Sequence, residues 1–264
     1  MVNSEQVKNF KNTRNMNKKD VKLFTVPNII TLLNILSGFI SIVFAFKGDL
    51  VISAYFIGLA AIFDFFDGFA ARLLKSFSQI GKELDSLADV ISFGLAPAII
   101  LYHLFNQALS LEEVNTSLNV NNLIYKILPY LSVIIVAFSA LRLAKFNIDD
   151  RQTSSFMGLP TPANAIFIAS LPVVLSFYTS SIISELILNK YFLIFLTIIL
   201  SYLLIAEIPM FSLKFSNFSF KENKIRFMFI GISVILLVSL RIIAIPIIIL
   251  IYILLSITYN IFSN

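Results

Sequence analysis

The sequence predicts an all-α polytopic membrane protein of about eight transmembrane helices with both termini cytoplasmic. Three observations carry this. First, 58% of the 264 residues are hydrophobic and 13% are charged, at a mean hydropathy of +0.89; soluble domains are about half apolar and a quarter charged. Second, the apolar residues form continuous blocks of about 20, the length of a membrane-crossing helix, not the alternation of a barrel strand. Third, Lys and Arg flank these blocks unevenly. There is no Cys, which excludes disulfides and thiolate metal sites. The net charge of +5 would suit nucleic acid or anionic lipid. Its placement beside apolar blocks fits membrane orientation, so membrane lipid and no nucleic acid are expected as partners.

Residues 1–24 carry Lys8, Lys11, Arg14, Lys18, Lys19 and Lys22 and read as a basic cytoplasmic segment. The first apolar block is long and lacks a small-residue cleavage site, so no removable signal is expected. It spans roughly 26–46, opened by Pro27 at a helix-start position. The second span is roughly 50–74 and the third roughly 81–105. Residues 106–122 are polar, with Glu112 and Glu113, and predict a loop. The fourth span is roughly 123–145, followed by a polar loop over 146–158. The fifth opens at Pro160 and Pro162 and runs to about Tyr178; the sixth covers roughly 191–211. The last two, roughly 225–243 and 245–262, predict a tight hairpin at Pro246. Three segments result: 1–24, a six-helix core over 25–215, and a two-helix C-terminal hairpin over 216–264. With the N-terminus inside and strict alternation, sixteen of the 20 Lys and Arg residues fall on the cytoplasmic side. Only Lys47, Lys126, Lys190 and Arg241 fall outside.

The chemistry concentrates in Asp64–Asp89, DFFDGFAARLLKSFSQIGKELDSLAD. Charges at membrane depth are expensive and normally face the protein interior for a function. Helical spacing puts Asp64, Asp67, Gly68, Ala71 and Arg72 on one face of the second span, and Gly81, Asp85 and Asp89 on one face of the third. The midpoints of 64/89 and 67/85 are 76.5 and 76. A turn near Ser76 therefore sets Asp64 opposite Asp89 and Asp67 opposite Asp85, roughly 14 Å from the turn at 1.5 Å per residue. Four carboxylates in one volume raise each other's pKa and call for cations. Oxygen ligands without His or Cys select Mg²⁺, Mn²⁺ or Ca²⁺, and four acids suit two divalent ions, the arrangement that clamps an in-line phosphoryl displacement. Arg72 offers a fork for phosphate. The plainer readings are ion pairing of the acids with Arg72, Lys75 and Lys82, and close helix packing by Gly68, Ala71 and Gly81.

These residues, D-x2-D-G-x2-A-R-x8-G-x3-D-x3-D complete from Asp64 to Asp89, resemble the signature of the CDP-alcohol phosphotransferases. The resemblance implies that Asp64, Asp67, Asp85 and Asp89 hold two divalent cations, Mg²⁺ or Mn²⁺. It implies that Gly68, Ala71, Arg72, Ser78 and Gly81 contact the CDP part, and that Asp89 is the general base. The stretches 25–38, 85–98, 141–147 and 158–163 look like the membrane-embedded phosphatidylserine synthase branch, so the resemblance covers about 25–215. That branch implies CDP-diacylglycerol and L-serine as substrates, phosphatidylserine and CMP as products, a cell-membrane location with the site on the cytoplasmic side, and a homodimer. Glycerol 3-phosphate or an inositol phosphate is the alternative acceptor, for which Arg142, Lys145 and Arg151 would be the basic cluster.

Among other polar residues at depth, Arg142 is a candidate for the serine carboxylate or an interfacial anchor. Asn28, Thr31 and Asn34 are candidates for the nucleotide pocket or for helix-to-helix hydrogen bonds. Glu207 is expected to serve the site or pair with Lys214, and His103 to be interfacial. A cation transporter would spread its acids through the membrane and repeat the motif, and an aspartyl protease has no use for four acids with an arginine; neither pattern is present.

Overall fold

The computed structural model of the chain describes residues 23–116, 123–149, 156–179, 181–211, 219 and 223–263. The expected basic segment lies outside them except for Leu23 and Phe24. Helix α1 is Val26–Phe46, with Thr25 capping its N-terminus through the Asn28 amide and Pro27 in its first turn. Pro suits that position because its missing N–H would be unpaired anyway. Gly48, at φ +84°, turns the chain into α2, Leu50–Leu73. The two helices run side by side, joined by the Ser41 hydroxyl donating to the Ser53 carbonyl at 2.8 Å.

Residues 74–78 form the turn expected near Ser76, with Lys75 at φ +49°. Helix α3, Gln79–Asp89, starts at Ser78, whose hydroxyl accepts from the Gly81 amide at 3.0 Å. Directly after Asp89 the chain widens into a π-helical segment, Val90–Leu95, and continues as α4, Ala96–Thr116. Residues 106–116 are therefore helical, against the loop expected from their polarity. Asn106 donates to the Tyr102 carbonyl and Ser110 to the Asn106 carbonyl, Glu112 pairs with Lys190 at 2.6 Å, and Ala108 and Leu109 are buried.

Helix α5, Leu123–Ile127, passes through a 3-10 turn at Leu128–Ser132 around Pro129 into α6, Val133–Ile148, three residues beyond the expected end. Helix α7 is Thr161–Phe177, the short α8 is Ile182–Ile187, and α9 is Lys190–Ile205. The sixth span thus ends well before Phe211, because Pro209 disfavours helix at the residue before it. Instead β2, Pro209–Met210, pairs antiparallel with β1, Phe156–Met157. Gly158 sits at the crossing with φ +77°, and a Cβ there would lie 2.6 Å from the Leu204 carbonyl oxygen.

Helix α10, Lys224–Leu240, breaks at Arg241, φ +53°, and after the 3-10 turn Arg241–Ile243 returns as α11, Ala244–Ser263. The Phe229 and Tyr252 rings, 5.8 Å apart, show that the two helices lie antiparallel. The hairpin apex is at 241–243 and not at Pro246, which falls in the first turn of α11, where Pro is tolerated.

Among the described residues, five stretches are long and apolar enough to cross a membrane: Val26–Phe46, Leu50–Leu73, Gln79–Glu112, Tyr125–Ile148 and Lys224–Asn260, the last containing both hairpin helices. Thr161–Phe177 and Lys190–Ile205 are apolar but shorter. The chain is a helical, multi-pass membrane protein. Large side chains such as Phe39, Phe195 and Val238 are exposed on its flanks, as lipid contact requires. Phe93, Ile100, Leu101, Leu104, Ile135 and Ile168 are buried at its centre, where α4 packs on α1, α2 and α7.

Candidate active site

The hairpin of α2 and α3 brings the acids together. Carboxylate oxygens of Asp64, Asp67 and Asp85 all lie within 4.8 Å of one another. Asp64 and Asp85 stand within hydrogen-bond reach, an approach two carboxylates make only with a proton or cation between them. Asp67 is buried, with Thr31 of α1 beside it; the Thr31 hydroxyl also donates to the Pro27 carbonyl at 3.0 Å. One oxygen of Asp67 and one of Asp85 are buried without a hydrogen-bond partner among the described residues. Such orphaned acceptors, all hard oxygens, fit a divalent cation.

Asp89 lies one turn deeper. It is buried, interacts electrostatically with the other three acids and with Arg142, and accepts a hydrogen bond from Asn34 Nδ2 at 3.4 Å. The expected facing of Asp67 and Asp85 is present. Asp64 reaches Asp85 as well as the field of Asp89, so the acids form a group of three plus one and not two separate pairs. The π-helical segment follows Asp89 at once. Such widened turns recur at functional sites. Here α1 grips it closely: a Cβ on Gly38 would lie 2.8 Å from Ser92 Cα.

Beside the acids a cavity of about 850 Å³ opens between α1, α2, α3 and the end of α6. Asn28, Thr31, Asp67, Gly68, Ala71, Ser78, Gly81, Lys82, Asp85 and Asn147 line it. Eight of these are site residues expected from the sequence; Lys82 and Asn147 are not. Lys82 Nζ donates to the Asn147 carbonyl at 2.8 Å, and Asn147 Nδ2 donates to Ser86 Oγ at 2.9 Å, tying α3 to the end of α6. Nothing in the local sequence signals that clasp. Gly81 is tightly placed, since a Cβ would meet Asn28 Oδ1 and Ser78 Oγ at 3.0 Å. Asn34 is brought to Asp89 and not to this cavity. Arg72 is exposed and is not among the cavity-lining residues, because one step along a helix from Ala71 turns its side chain about 100° away. Glu207 pairs with Lys145 at 3.1 Å; its other expected partner, Lys214, lies outside the described residues.

Residues 24–203, more than half of the chain, match the family model described as CDP-alcohol phosphatidyltransferase. The chain belongs to the CDP-alcohol phosphatidyltransferase family. Among similar curated proteins, a CDP-diacylglycerol–serine O-phosphatidyltransferase of Methanocaldococcus jannaschii is 35% identical over 167 residues, 63% of this chain and 70% of that one. An archaetidylserine synthase of Methanothermobacter thermautotrophicus is 34% identical over 174 residues, 65% of each. A CDP-diacylglycerol–serine O-phosphatidyltransferase of Helicobacter pylori is 34% identical over 148 residues, 55% of this chain and 56% of that one. The matched stretch thus spans 56% to 70% of the length of these relatives. The family match ends before β2 and the α10–α11 hairpin.

Proposed function

We propose that this phosphatidyltransferase moves a phosphatidyl group from CDP-diacylglycerol to the hydroxyl of L-serine, giving phosphatidylserine and CMP. The observation that carries it is the convergence of Asp64, Asp67, Asp85 and Asp89 beside the 850 Å³ cavity, in a chain whose relatives include serine phosphatidyltransferases. The four aspartates would hold two divalent cations, Mg²⁺ or Mn²⁺, which supply neutralisation of the charge on the transferring phosphate.

The chain's own groups do the rest. Asn28, Thr31, Gly68, Ala71, Ser78 and Gly81 line the pocket for the CDP part, and the exposed Arg72 follows Ala71 on α2. The small side chains at 68, 71 and 81 let the nucleotide reach the helix backbones. Asp89, oriented by Asn34, takes the proton from the serine hydroxyl as its oxygen attacks the β-phosphorus; the bond to the CMP oxygen breaks and CMP leaves. An unperturbed Asp, at a pKa of about 4, is a weak base, so holding the hydroxyl in line supplies much of the acceleration.

Arg142, buried and in electrostatic interaction with Asp89, supports an acceptor that brings a carboxylate; Lys145 is engaged by Glu207, and Arg151 lies outside the described residues. The charge asymmetry supports eight crossings, cytoplasmic termini and a cytoplasmic site in the cell membrane; a homodimer rests on the family resemblance. Incubating the purified protein with CDP-diacylglycerol, a divalent cation and each acceptor in turn, and measuring CMP, tests this. CMP release with serine is expected; release with glycerol 3-phosphate and none with serine would overturn the assignment.

A further inference from the structure

The cavity beside the acids has an uneven charge pattern. Its lining carries the carboxylates of Asp67, Glu83 and Asp85 and, among the described residues, a single cation, Lys82. Arg72, the fork expected for phosphate, is not part of that lining. Nor does Lys82 pair with the acids, the plainer reading of its place in the sequence. Its Nζ donates to the Asn147 carbonyl at 2.8 Å, and it makes no ion pair among the described residues. A neutral carbonyl takes one of the three ammonium donors and leaves the charge and the other N–H groups at the cavity wall.

Its place on α3 says what that charge addresses. Lys82 and Asp85 both line the cavity, three residues apart on one helix face, so Lys82 stands about one turn nearer the helix start, on the side away from Asp89. Ser78 and Gly81, at the start of this 11-residue helix, line the same wall, which adds the positive end of the helix dipole. The Ser76 hydroxyl also lines the cavity, and its oxygen is buried with no hydrogen-bond partner among the described residues. An ammonium, a helix N-terminus and an unpartnered hydroxyl suit a phosphate. In the reading above the acids face the transferring β-phosphate, so the next phosphate out is the one that leaves with CMP.

We propose that Lys82, with the Ser76 hydroxyl, binds the α-phosphate of the donor and stabilises CMP as it leaves. This rests on the CDP-diacylglycerol reading above and is independent of the acceptor. The acceptor oxygen bonds to the β-phosphorus and its proton passes to Asp89. The bond from the β-phosphorus to the bridging oxygen breaks, and its electron pair stays on that oxygen. The α-phosphate thereby gains one negative charge beside Lys82, so the contact is stronger in the transition state than in the bound donor. The Asn147 carbonyl steadies the ammonium at the cavity wall.

The test measures displacement of labelled CDP-diacylglycerol from the purified protein in detergent with Mg²⁺, by CMP and by cytidine, which lacks the phosphate. The wild type should bind CMP about tenfold or more tighter than cytidine, as a charge-assisted contact implies. Lys82 is exposed, so its replacement leaves the packed core intact. Lys82→Met should weaken CMP about tenfold, leave cytidine within about twofold, and lower kcat about tenfold in CMP release. Lys82→Arg, which keeps the charge, should restore most of the CMP affinity. Ser86→Ala cuts the bond from Asn147 to α3 without touching the ammonium and should leave both ligands within about twofold of wild type. Equal displacement by CMP and cytidine in the wild type overturns the proposal whether or not the variants fold. So does a Lys82→Met protein that keeps the wild-type gap, or a Ser86→Ala protein that loses it as fully. Absence of CDP-diacylglycerol binding by the wild type refutes the donor reading itself, which separates the two failures.

Discussion

Asn34 of α1 donates to Asp89 of α3 at 3.4 Å, both buried, across 55 positions of sequence. The bond holds one oxygen of the proposed base. Asn34→Ala is expected to lower kcat about 10- to 100-fold, the usual effect of removing a group that orients an active carboxylate. KM for CDP-diacylglycerol should stay close to wild type, because Asn34 is not among the residues lining the large cavity. Steady-state CMP release at varied lipid concentration checks the split.

Asp89→Asn keeps the shape and the Asn34 contact but removes the proton acceptor. CMP release should fall about 10²- to 10⁴-fold, the range for a general base. Binding of CDP-diacylglycerol, measured by protection against thermal unfolding in detergent, should persist. Unchanged turnover would remove Asp89 from the base role.

Asp67 and Asp85 each leave a buried oxygen without a partner among the described residues. Chelation of divalent ions should therefore abolish CMP release, and Mg²⁺ or Mn²⁺ should restore it. Asp67→Asn and Asp85→Asn should require higher ion concentrations for half-maximal activity, read from an ion titration. Full activity in excess chelator would contradict the carboxylate site.

Gly38 meets the π-helical segment so closely that a Cβ would lie 2.8 Å from Ser92 Cα. Gly38→Ala should cost about 1–3 kcal/mol as an overpacked contact between backbones. The measurement is the midpoint of thermal unfolding in detergent, which should fall. Activity should fall with it, since the segment begins at the residue after Asp89.

The acid hairpin was legible because its spacing is local. Helical period puts Asp64 with Asp67 and Asp85 with Asp89, and the turn at 74–78 is short enough for the two faces to meet. The stripe Asn28, Thr31, Asn34 was visible in the same way, at a spacing of three, although Asn34 turned out to serve Asp89 and not the cavity. Residues 106–116 are helical although their polarity resembles a loop's: Asn106 and Ser110 bond carbonyls one turn back in the same helix, and Glu112 pairs with the distant Lys190. The ladder of Phe156–Met157 with Pro209–Met210 and the clasp of Lys82, Asn147 and Ser86 join positions more than 50 residues apart, for which periodicity gives no sign. The π-helical segment was hidden for another reason: its sequence, VISFGL, suits an α-helix, and the widening comes with close packing by Gly38 on one side and by Ser139 near Gly94 on the other.

The central claim is the transfer itself, from CDP-diacylglycerol to serine. Radiolabelled L-serine, purified protein, CDP-diacylglycerol in mixed micelles and a divalent cation test it in one reaction that counts both products. One molecule of labelled phosphatidylserine should appear for each CMP, and neither should form in chelator or with Asp89→Asn. CMP released without labelled lipid, or formed only when glycerol 3-phosphate replaces serine, would contradict it.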